Sequence, residues 1–453
     1  MSTNLNFSNL VLLVGTNPLP NYVVAKYFCS NNKNLRRIWL LYSEKTAFEE
    51  GTKQYAEDIE AVLKKLKKEI KPDIHIEKSP LSDVSKDCDI TKDVKDQLLQ
   101  GIDRNSKVHL NYTGGTKSMA VHVYRFLEEN LNNRFSASYL DARNYCIVFD
   151  NRIEKDTDDL RGNIKISWDD LFQLYNCERT SGRTKYLDRL GQVEKENLLQ
   201  RMINMAEKRK LLEIKKFYQE CNNNIRLFSK PKENEIIDMS CLKKLIDNKL
   251  ASFNPKNNPE LFKFLAAFPE EDRIVDENGN WLYDNFPYSG KNRSKNTDKL
   301  NGFLSGEWLE AYVYWVIKTK KPELDPIINL YASALKINTT KTFEMDILVK
   351  NGYQICGISC GTAAGKGCES QLKQKGFEVI LRSRQLGGDE ALAILVTILQ
   401  EEDSGDTEKI RNLEQDLKDS TRTNPQKFIV LCAEDLHPDD LYKKIKKHIY
   451  GRN

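Results

Sequence analysis

From Asn9 to Phe149 short apolar runs alternate with longer amphipathic ones, and few folds accommodate that rhythm. "NLVLLVG" (9–15), "LRRIWLLY" (35–42), "DIHIEK" (73–78) and "KVHLNY" (107–112) have strand length and strand composition. Between them, "YVVAKYFCSNN", "AFEEGTKQYAEDIEAVLKKLKKEI" and "ITKDVKDQLLQGI" read as helices, the second with Ala61, Leu63 and Leu66 along its apolar side. The helix in "TGGTKSMAVHVYRFLEENL" and the strands "FSASYL" and "YCIVF" complete the series. Parallel strands need a crossover to join them, so strand–helix alternation predicts a mostly parallel, Rossmann-like sheet with helices on both faces. Ligands of such sheets sit at the carboxyl ends of the strands.

At 453 residues the chain exceeds what one hydrophobic core organises. Residues 1–150 form the first unit. Residues 151–300 read as a helical connector, on "WDDLFQLY" and "EKENLLQRMINMAEKRKLLEIKKFYQEC" separated by loops rich in Asn, Lys, Pro and Asp. Residues 301–453 regain sharp periodicity and predict a mixed α/β unit with a hairpin turning at Lys350–Gly352. Its first helix, "SGEWLEAYVYWVIKT", carries Trp308, Tyr312 and Trp315 at helical spacing, a stripe expected in the core.

Several classes are excluded. Seventy basic and 66 acidic residues leave a net charge of +4, so any nucleic-acid surface must be local. The ten cysteines include no CxxC pair, and none of the five histidines is close to them, which argues against a zinc site. No apolar run approaches membrane-spanning length, and the first residues lack a basic leader region. A reducing, cytoplasmic setting without membrane attachment is expected.

The chemistry concentrates in "VHLNYTGGTKSMAV" (Val108–Val121), where an apolar run stops at a Thr-Gly-Gly-Thr turn, followed by a lysine and a helix. Gly114 and Gly115 permit a tight turn and close backbone approach, leaving N–H groups free at the helix start. Thr113 and Thr116 bring hydroxyl donors and Lys117 a positive charge, a set suited to phosphodiester groups. Thr16 and Asn17, after the first strand, are expected to line the same pocket. A GxGxxG dinucleotide fingerprint is absent. Taken alone, the segment also reads as a helix cap beside an exposed lysine.

"VGTNPLPN" (14–21) and "NYTGGTKSMA" (111–120) together resemble the ligand loops of CRISPR-associated Rossmann-fold (CARF) sensor domains. The resemblance implies a cyclic oligoadenylate ligand, held across the two-fold axis of a homodimer so that each subunit supplies one loop. The third unit resembles the PD-(D/E)xK, restriction-endonuclease-like domain of the type III CRISPR ancillary effectors of the Card and Can kind. "GEWLE" (306–310) before a helix and "FEMDILV" (343–349) on a strand carry that likeness. It implies an antiviral metal-dependent endonuclease acting on DNA or RNA, with Glu310 and Asp346 binding Mg²⁺ or Mn²⁺.

The next strand departs from the pattern. Where an acid-x-lysine pair is expected the chain reads "ICGISCGT", with Ser359 at the acid position and Gly361 at the lysine position. Three readings stay open. The nuclease is dead and the unit is a ligand-gated binding module; or the chemistry has moved to the following helix, where Glu369 and Lys373 share a face that can look toward Asp346. In the third, "GISCG" is a G-x-S-x-G nucleophile motif, with Ser359 served by His437 and by Asp389 or Asp403. "GTAAGKG" (361–367) has one residue too few for a P-loop and lacks its Ser/Thr, leaving a glycine loop that carries Lys366.

Overall fold

The computed structural model describes residues 6–47, 50–150, 155–180, 182, 184–224, 239–286, 296–334, 342–363, 367–400, 404–422 and 424–451. Asp403 and Lys366 lie outside them. Two six-stranded sheets organise the chain.

The first sheet is built as the alternation predicts. In chain order it comprises β1 (Asn9–Leu13), α1 (Leu19–Asn31), β2 (Arg37–Ser43), α2 (Lys53–Ile70), β3 (His75–Leu81) and α3 (Asp87–Asp93). β4 (Val108–Asn111), α4 (Lys117–Leu131), β5 (Phe135–Asp141) and β6 (Cys146–Phe149) follow. The strand order is β3-β2-β1-β4-β5-β6, parallel throughout except for β6 at the edge. Both faces of β1 are buried: Leu10 and Leu12 belong to one core, Val11 and Leu13 to another. That is why the strand reads as unbroken apolar sequence.

Residues 151–300 contribute α5 (Trp168–Leu174), β7 (Cys177–Arg179), α6 (Gln192–Glu207), α7 (Leu212–Asn224), α8 (Met239–Lys249), α9 (Pro259–Leu265) and the start of α10 (Asn296–Gly302). The helical reading holds for most of this stretch, but β7 pairs with the second sheet as its edge strand. A three-residue strand carries too little periodicity to be read from sequence.

The second sheet contains α11 (Trp308–Lys320), β8 (Ile327–Ala334), β9 (Thr342–Asn351), β10 (Gln354–Gly361), α12 (Cys368–Gly387) and β11 (Leu392–Thr397). α13 (Ser404–Thr421), β12 (Phe428–Leu431) and α14 (Pro438–Tyr450) complete it. Its order is β12-β11-β10-β9-β8-β7; β10, β11 and β12 are parallel and the rest antiparallel. The β9–β10 hairpin turns at Gly352, where φ is +65° and the Arg161 carbonyl leaves no room for a Cβ. One apolar cluster runs through both units, joining Leu12 and Tyr22 to Ile355, Leu372 and Val379, so the sheets share a core. None of the described helices is long and apolar enough to cross a membrane.

Candidate functional site

Two sites emerge, one on each sheet. On the first sheet β1 and β4 are neighbours at its centre, so the loops after them meet at the carboxyl edge. They meet backbone to backbone. A Cβ on Gly114 would lie 2.2 Å from the Leu13 carbonyl oxygen, and one on Gly15 would lie 2.9 Å from the Gly115 nitrogen. Gly115 also sits at φ +75°. Asn21 secures the crevice by donating its amide N–H to the Leu13 carbonyl at 2.9 Å.

The predicted ligand residues divide by role. Thr116 caps α4, its Oγ accepting from the Met119 N–H at 3.1 Å, and is exposed. Lys117 opens the helix, exposed and with no carboxylate partner among the described residues. Thr16 is exposed beside them. Thr113, expected to offer a hydroxyl, is already committed: Oγ donates to Asn111 Oδ1 at 2.7 Å and accepts from the Leu140 N–H at 2.7 Å. Asn17 is committed as well, and across the molecule. Its Oδ1 accepts from the Tyr175 hydroxyl at 2.7 Å, and its Nδ2 donates to Glu390 Oε2, in the turn between α12 and β11, at 3.0 Å.

On the second sheet the side chains of Glu310 (α11) and Asp346 (β9) come together as predicted, and both are buried. Burial, followed by the Asp346 charge, pushes the Glu310 carboxyl up to about 7. The β9–β10 ladder runs from Asn351 opposite Gln354 to Ile347 opposite Ile358. One residue further, Asp346 Oδ2 accepts from the Cys360 N–H and from Ser359 Oγ, each at 2.8 Å.

The lysine arrives from the expected helix at an unexpected position. Lys375 Nζ stands 3.2 Å from Asp346 Oδ2, whereas Lys373 pairs with Asp416 on α13 at 2.9 Å. Glu369 is exposed on the first turn of α12. The i, i+4 pairing of Glu369 with Lys373 therefore marks a face turned away from Asp346. A second lysine was not read from sequence at all. Lys185, from the connector, bridges Glu310 at 2.6 Å and Glu344 at 2.8 Å. Burial opposes its charge, but the two carboxylates outweigh burial and raise its pKa.

The serine-nucleophile arrangement is not assembled. Ser359 lies within β10, not on a strand-to-helix elbow, and its hydroxyl proton goes to Asp346. His437 stands at the head of α14, 4.0 Å from Asp440, and Asp389 lies in the turn after α12. Cys356, Cys360 and Cys368 are buried packing residues.

Among the described residues no three His, Cys, Asp or Glu side chains are grouped to hold a metal ion. The donor set at Glu310 and Asp346 nevertheless suits a divalent cation. Two buried carboxylates are close enough to perturb one another, and ammonium groups now supply the positive charge they require.

With this geometry in view, the fold defines a class: a CARF-type Rossmann sheet followed by a second, mixed sheet. Residues 9–167 match the family described as the Card1 CARF domain. No curated protein matches the chain significantly in sequence. Among solved structures, protein VC1899 from Vibrio cholerae is similar with a TM-score of 0.64 at 15% identity, covering 98% of each chain. Can2 from Sulfobacillus thermosulfidooxidans, in complex with cyclic tetra-adenylate, is similar with a TM-score of 0.57 at 13% identity, covering 98% of this chain and 99% of that one. These likenesses extend over both sheets and establish a shared fold.

Proposed function

We propose that this protein is a cyclic-oligoadenylate-sensing effector of type III CRISPR defence whose output unit is a divalent-cation-dependent nuclease with a rearranged lysine. The sensing half is carried by one observation. The stretch that matches the Card1 CARF domain contains the glycine-lined crevice between β1 and β4, with Lys117 and the start of α4 at its mouth. Backbone N–H groups at a helix start and an unpaired ammonium favour phosphodiester oxygens. A ring with two-fold symmetry requires two such loops, so the functional unit is an isologous homodimer joined through the sensor.

In the output unit Glu310 and Asp346 would hold Mg²⁺ or Mn²⁺ once Lys185 yields. Such an ion supplies charge neutralisation at the phosphorane and a more acidic water. Lys375 would take the place of the missing motif lysine, reaching Asp346 from α12 instead of β10 and stabilising charge on the transferred phosphate. Ser359 would orient Asp346 by its hydrogen bond. A second reading, a ligand-gated binding module without catalysis, is favoured by the lysine contacts already made to both carboxylates.

Calorimetric titration with tri-, tetra- and hexa-adenylate rings tests the sensor. Wild type should bind one of them, and Lys117→Ala should weaken that binding at least tenfold. Binding of none, or unchanged affinity in Lys117→Ala, would overturn the sensing half. Incubation with ring, Mn²⁺ and either supercoiled plasmid or single-stranded DNA or RNA tests the output. Cleavage that is lost in Asp346→Asn supports the nuclease, and no cleavage of any substrate would leave the binding module.

A further inference from the structure

One side chain of the connector already makes the contacts that a cation would make at Glu310. Lys185 Nζ lies 2.6 Å from Glu310 Oε2 and 2.8 Å from Glu344 Oε1, and its side chain is only 5% exposed. Glu344 and Asp346 stand two residues apart on β9 and so share one face of the sheet. The backbone beneath the lysine is pinned. Lys185 heads a short 3-10 turn, Tyr186–Arg189, and its N–H donates to Asp188 Oδ2 at 2.8 Å. Tyr186 is fully buried, and its hydroxyl donates to Asp272 Oδ2 at 3.0 Å. Only the side chain is left free to move.

The ammonium also has a way out. A cleft of about 170 Å³ opens onto both Lys185 and Glu310, walled on one side by Trp315. Trp315, expected in the core with Trp308 and Tyr312, is half-buried because it lines this opening, while those two are fully buried. An ion pair kept for the fold alone gains nothing from such access.

We propose that Lys185 is a resident counter-cation: its ammonium holds the seat of the divalent ion at Glu310 and sets the affinity with which the site takes that ion. The proposal rests on the cation-dependent reading above. Lysine suits the task, being a compact point charge on a flexible four-carbon stem. While no ion is bound it compensates carboxylates that burial would otherwise leave unpaired at a large cost. The incoming ion, which prefers oxygen ligands, must displace it, and the side chain then swings into the cleft.

Electron paramagnetic resonance of free Mn²⁺, followed while the full-length protein is titrated, reads cation affinity without any cleavage. Lys185→Met keeps the stem and removes the charge, and it should bind Mn²⁺ about tenfold tighter than wild type or more. Lys185→Arg, which keeps the charge, should bind no tighter than wild type. Without metal, Lys185→Met should melt below wild type, and saturating Mn²⁺ should raise its melting temperature by more than it raises the wild type's. A purely structural lysine would give a loss that Mn²⁺ does not relieve. Should Lys185→Met fail to fold, the double variant Lys185→Met with Glu344→Gln removes the pair at unchanged net charge, and it too should bind Mn²⁺ tighter than wild type. Adding Asp346→Asn to either should abolish the gain. Mn²⁺ affinity no higher without the lysine, or a gain that survives Asp346→Asn, would overturn the counter-cation while leaving the cation-dependent reading intact. Binding of Mn²⁺ by neither wild type nor variants would overturn both.

Discussion

Two positions on one helix separate Lys373 from Lys375, a rotation of roughly 200°, and that rotation decides which of them can serve Asp346. Lys375→Ala should therefore reduce cleavage at least a hundredfold, whereas Lys373→Ala, which breaks only a solvent-exposed pair with Asp416, should leave it within about twofold. Rates under ring and Mn²⁺ check this, and equal losses in the two variants would refute the assignment. Glu310 makes a separate pH prediction. Burial and the neighbouring Asp346 raise its carboxyl from 4.5 to about 7, so the folded protein keeps a proton through that window that the unfolded chain releases. Wild type should accordingly lose stability relative to Glu310→Gln as pH rises from about 4.5 to about 7. Urea midpoints of the two proteins across this range should diverge in that direction; parallel curves would contradict it.

At the scale of elements, the crevice depends on how closely two loops can pass. Gly114 faces the Leu13 carbonyl with no space for a side chain, so Gly114→Val must part the β1 and β4 loops. A loss of about 1–3 kcal/mol in stability is expected, together with loss of ring binding. Gly162 provides the control, since a Cβ there would meet nothing within 4 Å. Gly162→Ala should leave both melting temperature and ring affinity unchanged. Should Gly114→Val bind the ring normally, the crevice would not be the ligand site.

Across the whole molecule, a hydrogen-bonded route links the crevice between the β1 and β4 loops to β10. Asn17 binds Glu390, whose backbone carbonyl accepts from Gln354 Nε2 at 2.9 Å. Gln354 opens β10, the strand that carries Ser359 and Cys360 against Asp346. The same Gln354 also takes the Arg161 guanidinium at 2.8 Å and reaches the Tyr145 hydroxyl at 2.6 Å. Glu390 is buried, and Gly388 beside it could not carry a Cβ without striking Asn17. In a double-mutant cycle on unfolding, Asn17→Ala and Glu390→Gln should be non-additive by about 0.5–3 kcal/mol. Both single variants should also blunt ring-dependent activation of cleavage. Simple additivity would show that the two residues are not coupled.

Much of the first sheet was legible because its signal is local. Unbroken apolar strands, amphipathic helices and a glycine turn are properties of neighbouring residues, and they suffice for a parallel sheet with a tight loop after β4. Glu310 and Asp346 were legible as well, each carried by a short motif in a recognisable element. Which groups surround them was decided only by packing. Lys185 reaches Glu310 across 125 residues, and Asn17 reaches Glu390 across 373. Neither pairing leaves a trace in spacing, since each depends on which faces of distant elements meet. Lys375 was hidden for a subtler reason. The rotation of a helix against a sheet is set by the shared core, and the lysine it brings to Asp346 carries no motif of its own.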